Sequence, residues 1–288
     1  MKINDLPTEL LTLILIKIPG KELCKSIVLT CKKWNKIINS ESFWARKLLL
    51  ESLASQKLIT TLINFNCFEP RRLYFKNPYE KNLIRNPCAE FGYEYWHTRS
   101  FIMLKYSREV GSSDYYDFYN GLYLQNCFHD SLTQQEYWGF KIEPDDYLSR
   151  PAYDLEGNPF RYYATPYYNA TKYQLIDLLS EGVDQKVMEK IKPKIIIEDW
   201  YAARTDFGAE YKIDVIFYDS QYKKLEWFEY SEKVPKGGDG KWKKFKKTIE
   251  NYSKDVRYIL FEHFGKDLEF IVGHYGTKLT NSSLKLLF

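Results

Sequence analysis

Apolar residues recur at helical spacing through roughly the first 65 positions, and towards the end of the chain they alternate as in strands. Leu10, Leu11, Ile14, Leu15 and Ile18 form one broad stripe, which predicts a first helix stopped by Pro19-Gly20. Leu6-Pro7 opens it, with Pro7 expected at the first helical position, where a missing N–H costs nothing. A second helix is expected to carry Leu23, Ile27, Cys31, Trp34 and Ile38, with Lys25, Lys32 and Lys33 on its other face. Ser42 is the expected cap of a third helix through Trp44 and Leu48.

Three short helices in so few residues bury too small a fraction of their surface to make a strong core alone. Their stripes are wider than one small core needs, so they should dock on something else. The residues leave open whether that is another polypeptide or the rest of this chain.

The later segments read as strands. Ile195, Ile196 and Ile197 form a β-branched run ending in Asp199-Trp200-Tyr201. Tyr211, Ile213, Val215 and Phe217 alternate with Lys212, Asp214, Ile216 and Tyr218, as for a half-buried strand. Further strands are expected at 225–230, 241–249, 256–263, 268–272 and 279–286, between glycine-rich or polar turns. The interval 173–190 is expected to hold a helical turn or two. Short strands without intervening helices predict an antiparallel sandwich or jelly roll.

Composition narrows the function classes. The 288 residues carry 28% charged and 44% hydrophobic side chains, as in a folded chain. No run approaches the roughly 20 apolar residues of a membrane span, so no membrane insertion is expected and the cytoplasm is the expected compartment. A net charge of +4 is too small to argue for nucleic acid. Five scattered cysteines without a C-x-x-C pair support neither a disulfide framework nor a metal site. Aromatic content is high, at 7 Trp, 25 Tyr and 18 Phe, and 23 of these fall between Phe91 and Tyr173. A β-rich core or a binding surface accounts for them. Seven lysines in 233–247 surround a glycine turn, and they suit protection of a strand edge better than an acidic partner.

Catalytic signatures are missing. There is no phosphate-binding glycine loop, no His-Glu-x-x-His and no Gly-x-Ser-x-Gly. His97, His129, His263 and His274 stand singly, and Cys88 has no His beside it in sequence. A glycosidase needs paired carboxylates, for which Asp145-Asp146 and Asp199 are candidates ranked last. No enzyme and no cofactor is expected.

Residues 1–48 resemble an F-box, with Leu6-Pro7, Leu10-Leu11, Ile14-Leu15, Leu23, Val28, Cys31, Trp34, Ile38 and Trp44 at its signature positions. The resemblance implies docking to a Skp-type adaptor and, through a cullin scaffold, membership of an SCF-type ubiquitin ligase. The adaptor-binding set it implies is Leu6, Pro7, Leu10, Leu11, Ile14, Leu15, Leu23, Val28, Cys31 and Trp34. Residues 81–288 resemble the F-box-associated (FBA) domain of the sugar-chain-recognising F-box proteins. That likeness is carried by Lys81–Cys88, Gln174–Leu178 with Glu181-Gly182, and Asp199-Trp200-Tyr201 with Arg204, Asp206 and Gly208. It continues through Val256-Arg257-Tyr258, Phe261-Glu262-His263, Gly276 and Thr280–Ser283. The fold so implied is α+β: a three-helix F-box, a mainly helical linker over 49–80, and an antiparallel jelly roll with a tyrosine-rich insertion near 96–160.

In this family the chitobiose core of N-glycans is held at one end of the sandwich. Carried over, the glycan- or substrate-binding positions are Tyr167, Asp206 and the triplet Phe270, Ile271 and Val272. Tyr167 and Asp206 keep an aromatic face and a carboxylate for a sugar. At the triplet the family has Tyr-Trp-Lys, and losing a stacked ring and a cation lowers affinity by roughly 30-fold. The resemblance thus implies a non-catalytic substrate receptor, either for misfolded glycoproteins in ER-associated degradation or for a cytosolic protein bound directly. Phe270 and Val272 are also positioned, as an alternative, to fill a strand core.

Overall fold

The structure, a computed structural model, describes residues 3–100, 139–143 and 161–288. The insertion expected near 96–160 lies outside these residues except for 96–100 and 139–143, and Asp145-Asp146 lies outside them too. The chain divides into two compact units: Met1–Lys81 with Ser180–Ile191 and Phe288, and Asn82–Leu179 with Lys192–Leu287.

In the helical unit, α1 (Thr8–Leu15), α2 (Gly20–Lys25), α3 (Lys32–Ile38) and α4 (Glu41–Leu50) enclose a small core. Leu11, Leu15, Ile16, Leu23, Ile37, Ile38, Phe43 and Trp44 are its buried members. α5 (Gln56–Asn64) and α6 (Pro70–Phe75) occupy the span expected as a linker, and they belong to the same unit. Trp44 lies 5.0 Å from the Tyr74 ring and 5.3 Å from Phe75. The helix α7 (Gln185–Lys190), capped by Asp184 accepting from the Lys186 N–H, also clusters with this unit.

Several local expectations are corrected. Pro7 precedes α1 rather than starting it, in an extended conformation whose carbonyl accepts the Leu11 N–H. The single second helix is two helices. After Lys25 the chain tightens into a 3-10 turn at Ile27–Leu29, and Cys31 is fully extended (φ −161°, ψ 164°) before α3. β-branched Ile27, Val28 and Thr30 disfavour a continuous helix, and the Asn35 side-chain amide takes up the freed Val28 carbonyl. Ser40, not Ser42, stands at the start of α4, and its hydroxyl donates back to the Ile37 carbonyl.

The second unit is a sandwich of two five-stranded antiparallel sheets. One has the order β1 (His97–Ser100), β4 (Ala170–Asp177), β9 (Tyr258–Asp267), β6 (Ala209–Tyr218) and β7 (Lys224–Val234). The other runs β2 (Lys141–Glu143), β3 (Tyr162–Ala164), β10 (Lys278–Leu287), β5 (Lys194–Ala202) and β8 (Lys243–Ile249). Counted from β3 to β10, the orders 3-10-5-8 and 4-9-6-7 are the two halves of a jelly roll, as expected. The interval 173–190 begins as strand β4, and the helical turns expected in it are those of α7 at Gln185–Lys190. β6 is buried on both faces, because Ile216 and Tyr218 join Tyr173 and Leu260 in an apolar cluster of their own. β8 is an edge strand, and Lys244 and Lys246 pair with Glu198 at 3.0 and 3.1 Å, as edge protection requires.

The sheets are joined through buried polar groups as well as apolar ones. Asp199 on β5 accepts from Tyr211 Oη, His263 Nδ1 and Ser282 Oγ, each at 2.8 Å. Ser282 reaches inward because β10 bulges between Thr280 and Ser283, with Asn281 in the left-handed region (φ 51°) and its N–H on the Pro87 carbonyl. Tyr201 and Tyr211 stack at 3.9 Å across the same interface.

In the helical unit Lys47 is wholly buried, and its ammonium donates to the carbonyls of Ile16 and Ile18 at 2.8 Å each, with Glu51 beside it. It therefore closes the C-terminal end of α1, where carbonyls lack helical partners. Lys47→Met should cost about 2–3 kcal/mol by stranding those acceptors, measured as a lowered denaturant midpoint with unchanged slope.

Candidate functional site

β9 ends at Asp267 because this buried carboxylate accepts the Phe270 N–H and turns the chain. Phe270 adopts a left-handed conformation (φ 59°) and Gly273 follows at φ 140°. The strand expected over 268–272 is thus a turn, and its side chains do not fill the core. Phe270 is 69% exposed, Ile271 44% and Val272 80%.

Two further loops adjoin this one. The Asp267 N–H donates to the Pro166 carbonyl, and the Gly276 N–H to that of Thr165. The Leu268 N–H donates to the Gly208 carbonyl, while Glu269 accepts the Gly208 N–H at 2.9 Å. Loops 165–169, 203–208 and 268–276 therefore lie side by side at one end of the sandwich. They bring the segments holding Tyr167, Asp206 and Phe270–Val272 together. Tyr167 is half-buried with its ring edge-on to Tyr168 at 5.0 Å, and Asp206 is exposed. The sequence alone does not pair Phe207 with Tyr275, which stack at 4.5 Å and 17° between two of these loops. A glycine is required at 276, where a Cβ would stand 2.4 Å from Thr165 Oγ1 and 2.6 Å from the Lys266 backbone.

Beneath the loops Arg204 is buried. Its guanidinium donates to Glu143 at 2.6 Å and to the His274 carbonyl at 2.9 and 3.2 Å. Burial alone would raise the Glu143 pKa, but Arg204, Tyr162 and Lys141 outweigh it and hold the carboxyl below its usual range. Lys278 nearby is pushed down to about 7 by burial and by Arg204, against the pull of Glu143.

Candidate catalytic groups fare differently. His263 and Asp199 form a pair with Ser282, but the serine hydroxyl faces the aspartate rather than the imidazole, and all three are sealed in the core. That arrangement cannot act as a nucleophile and base. Burial pushes the Cys88 thiol up to about 11, with Glu90 adding to the shift, so it is not an activated thiolate. Among the described residues no group of histidine, cysteine and carboxylate side chains is placed to hold a metal ion.

In the helical unit the expected adaptor-binding residues separate. Leu11, Leu15 and Leu23 are fully buried in the unit's own core, so they shape its surface rather than form it. Leu6, Val28 and Trp34 pack partly against that core, and Cys31 is half-buried with its thiol towards Asn4. Pro7, Leu10 and Ile14 are exposed, and the structure adds Leu13 and Leu29, the latter 78% exposed. Leu13 follows Leu10 by three positions and was legible in the same periodicity. Leu29 was hidden by the assumption of an unbroken second helix.

Comparison with known proteins adds the family. Residues 74–286 match the family described as F-box associated region, and residues 3–49 match the F-box-like family. The chain is 29% identical over 285 residues to F-box only protein 44 of Homo sapiens, covering 99% of this chain and 96% of that protein. It is 28% identical over 286 residues to F-box only protein 6 of Rattus norvegicus, covering 99% and 86%. Among solved structures, TmCBM61 in complex with beta-1,4-galactotriose is similar over 72% of this chain and 99% of that one. The two are 13% identical, with a TM-score of 0.39.

Two outcomes test the construction of this site. Gly276→Ala should part the loops and destabilise the sandwich by about 1–3 kcal/mol, read from chemical denaturation. His263 is held neutral, its pKa pushed down to about 4 by burial and Lys172 against the opposing Asp199. The unfolded chain binds that proton near pH 6.5, so stability should fall as pH drops from about 6.5 to 4, by up to about 1.4 kcal/mol per unit. His263→Gln keeps a donor for Asp199 without titrating, and it should flatten that part of the stability profile.

Proposed function

Because this chain belongs to the F-box proteins that carry an F-box-associated region, we propose that it is the substrate-recognition subunit of an SCF-type ubiquitin ligase. The observation that carries this reading is on α1. Leu11 and Leu15 close the helical unit's own core, yet Leu10, Leu13 and Ile14 stay between 43% and 46% exposed on the same short helix. Apolar side chains left together on a surface after the core is complete are suited to burial by a partner. A Skp-type adaptor, joined in turn to a cullin scaffold, is the partner proposed. The subunit itself is non-catalytic and works in the cytoplasm.

The sandwich then holds the substrate at loops 165–169, 203–208 and 268–276. The finer proposal is that the substrate is the chitobiose core of N-glycans on misfolded glycoproteins, with the Tyr167 ring against a sugar face and Asp206 accepting from hydroxyl or amide groups. The exposed Phe270-Ile271-Val272 turn favours a second reading, a protein substrate bound through apolar side chains, since neither Ile271 nor Val272 offers a sugar a polar partner.

Purified Skp adaptor should co-elute with the full chain in size-exclusion chromatography, and the double substitution Leu10→Glu, Ile14→Glu should abolish co-elution while leaving the far-UV circular dichroism unchanged. Unaltered co-elution of that variant would remove the adaptor reading. On a glycan array, a chitobiose or high-mannose signal lost in Asp206→Ala supports the sugar reading, and silence at micromolar protein rejects it.

A further inference from the structure

The substrate loop 268–276 bears its exposed side chains at its tip, and its backbone–backbone hydrogen bonds to neighbouring loops lie near its two ends, at Leu268 and Gly276. Between them, the His274 carbonyl is gripped from inside by Arg204, through Nε at 3.2 Å and a terminal nitrogen at 2.9 Å. Two donors of one rigid, planar guanidinium on one acceptor fix direction as well as distance. Arg204 is itself 4% exposed, and a buried guanidinium keeps its place only where an anion answers it. Glu143 is such an anion, 2.6 Å away.

Glu143 is set in place with care. One carboxylate oxygen accepts from Arg204 and from Tyr162 Oη at 3.0 Å, and the other faces Lys141 Nζ at 3.2 Å. Backbone pairing of Glu143 with Tyr162, and of Ile142 with Tyr163, holds β2 against β3. β2 is only three residues long and forms the end of its sheet's order, next to β3. A chain of contacts thus runs from β2 through a charge pair to the middle of the substrate loop.

We propose that Glu143 is a positioning residue for the substrate-binding end: through Arg204 it sets the geometry of the loop carrying Phe270, Ile271 and Val272. This rests on the reading that loop 268–276 contacts substrate. Glu143→Gln keeps the shape and one acceptor oxygen but removes the negative charge that Glu143 sets against the guanidinium. Arg204→Lys keeps a charge for Glu143 but replaces the two-pronged grip with a single ammonium.

The experiment is amide hydrogen exchange on the full chain, read by mass spectrometry peptide by peptide, for the native protein and both variants. The expected result is exchange faster by about tenfold or more across 268–276, with the interior amides of β9 and β10 unchanged. Unchanged exchange in the loop of both variants overturns the proposal. So does a uniform acceleration of loop and strands together, which is what a merely structural ion pair produces. If Glu143→Gln does not fold, Arg204→Lys decides alone. A parallel titration with N,N′-diacetylchitobiose separates the two levels of inference. Native protein that fails to bind the probe sinks the sugar reading and leaves the exchange result to judge Glu143. Native binding that both variants preserve, despite a loosened loop, overturns the positioning role.

Discussion

One buried carboxylate ties the sandwich together. Asp199 sits on a central strand of one sheet and takes donors from Tyr211 and His263 of the other, with Ser282 from its own. A charge stripped of water is tolerated only when several hydrogen bonds answer it, and here three do. The geometry is demanding. Tyr211 Oη and His263 Nδ1 meet the same oxygen, so β5 cannot slide against β6 and β9 without losing both. The bulge in β10 serves the same end, since without the left-handed turn at Asn281 the hydroxyl of Ser282 would lie out of phase.

Fixing the sheets fixes where their connecting loops emerge. β9 and β10 are each the middle strand of a different sheet and are joined by the turn 268–276, because a jelly roll passes the chain between its sheets at the ends. Loops 165–169 and 203–208 link β3 to β4 and β5 to β6, crossing at that same end. Backbone hydrogen bonds then lock the three together, and Gly276 lets them approach more closely than any side chain would allow. The result is a rigid platform, on which apolar side chains stand exposed at a tip stabilised by Asp267 from below. Binding by a preformed loop avoids the entropy of ordering it, which favours affinity from few contacts.

The helical unit follows the opposite logic. Its core is small, closed by Trp44 and by the ammonium of Lys47 on the carbonyls at the end of α1. With so few inward positions available, a short helix with a broad stripe must leave part of it outside. Leu10, Leu13 and Ile14 are that remainder, and Leu29 on the 3-10 turn is exposed as well.

The sequence determined the fold class through short-range chemistry: helical periodicity at the start, alternation and glycine turns later, and lysines marking the edge strand β8. Motif order likewise pointed to the family and to the segments carrying Tyr167, Asp206 and Phe270. Tertiary structure alone decided what depends on distant partners. Phe270–Val272 read as a strand because three apolar residues in a row suit one, and only the side chain of Asp267, which takes the Phe270 N–H, makes them a turn. The second helix read as continuous because periodicity does not sense β-branching strongly enough to place a break. Leu10 and Leu11 are indistinguishable in a stripe, and their opposite fates follow from how many neighbours the unit packs around each. Glu143 and Arg204, or Phe207 and Tyr275, are separated by some sixty residues of sequence, and no local pattern records which of them will meet once ten strands are in register.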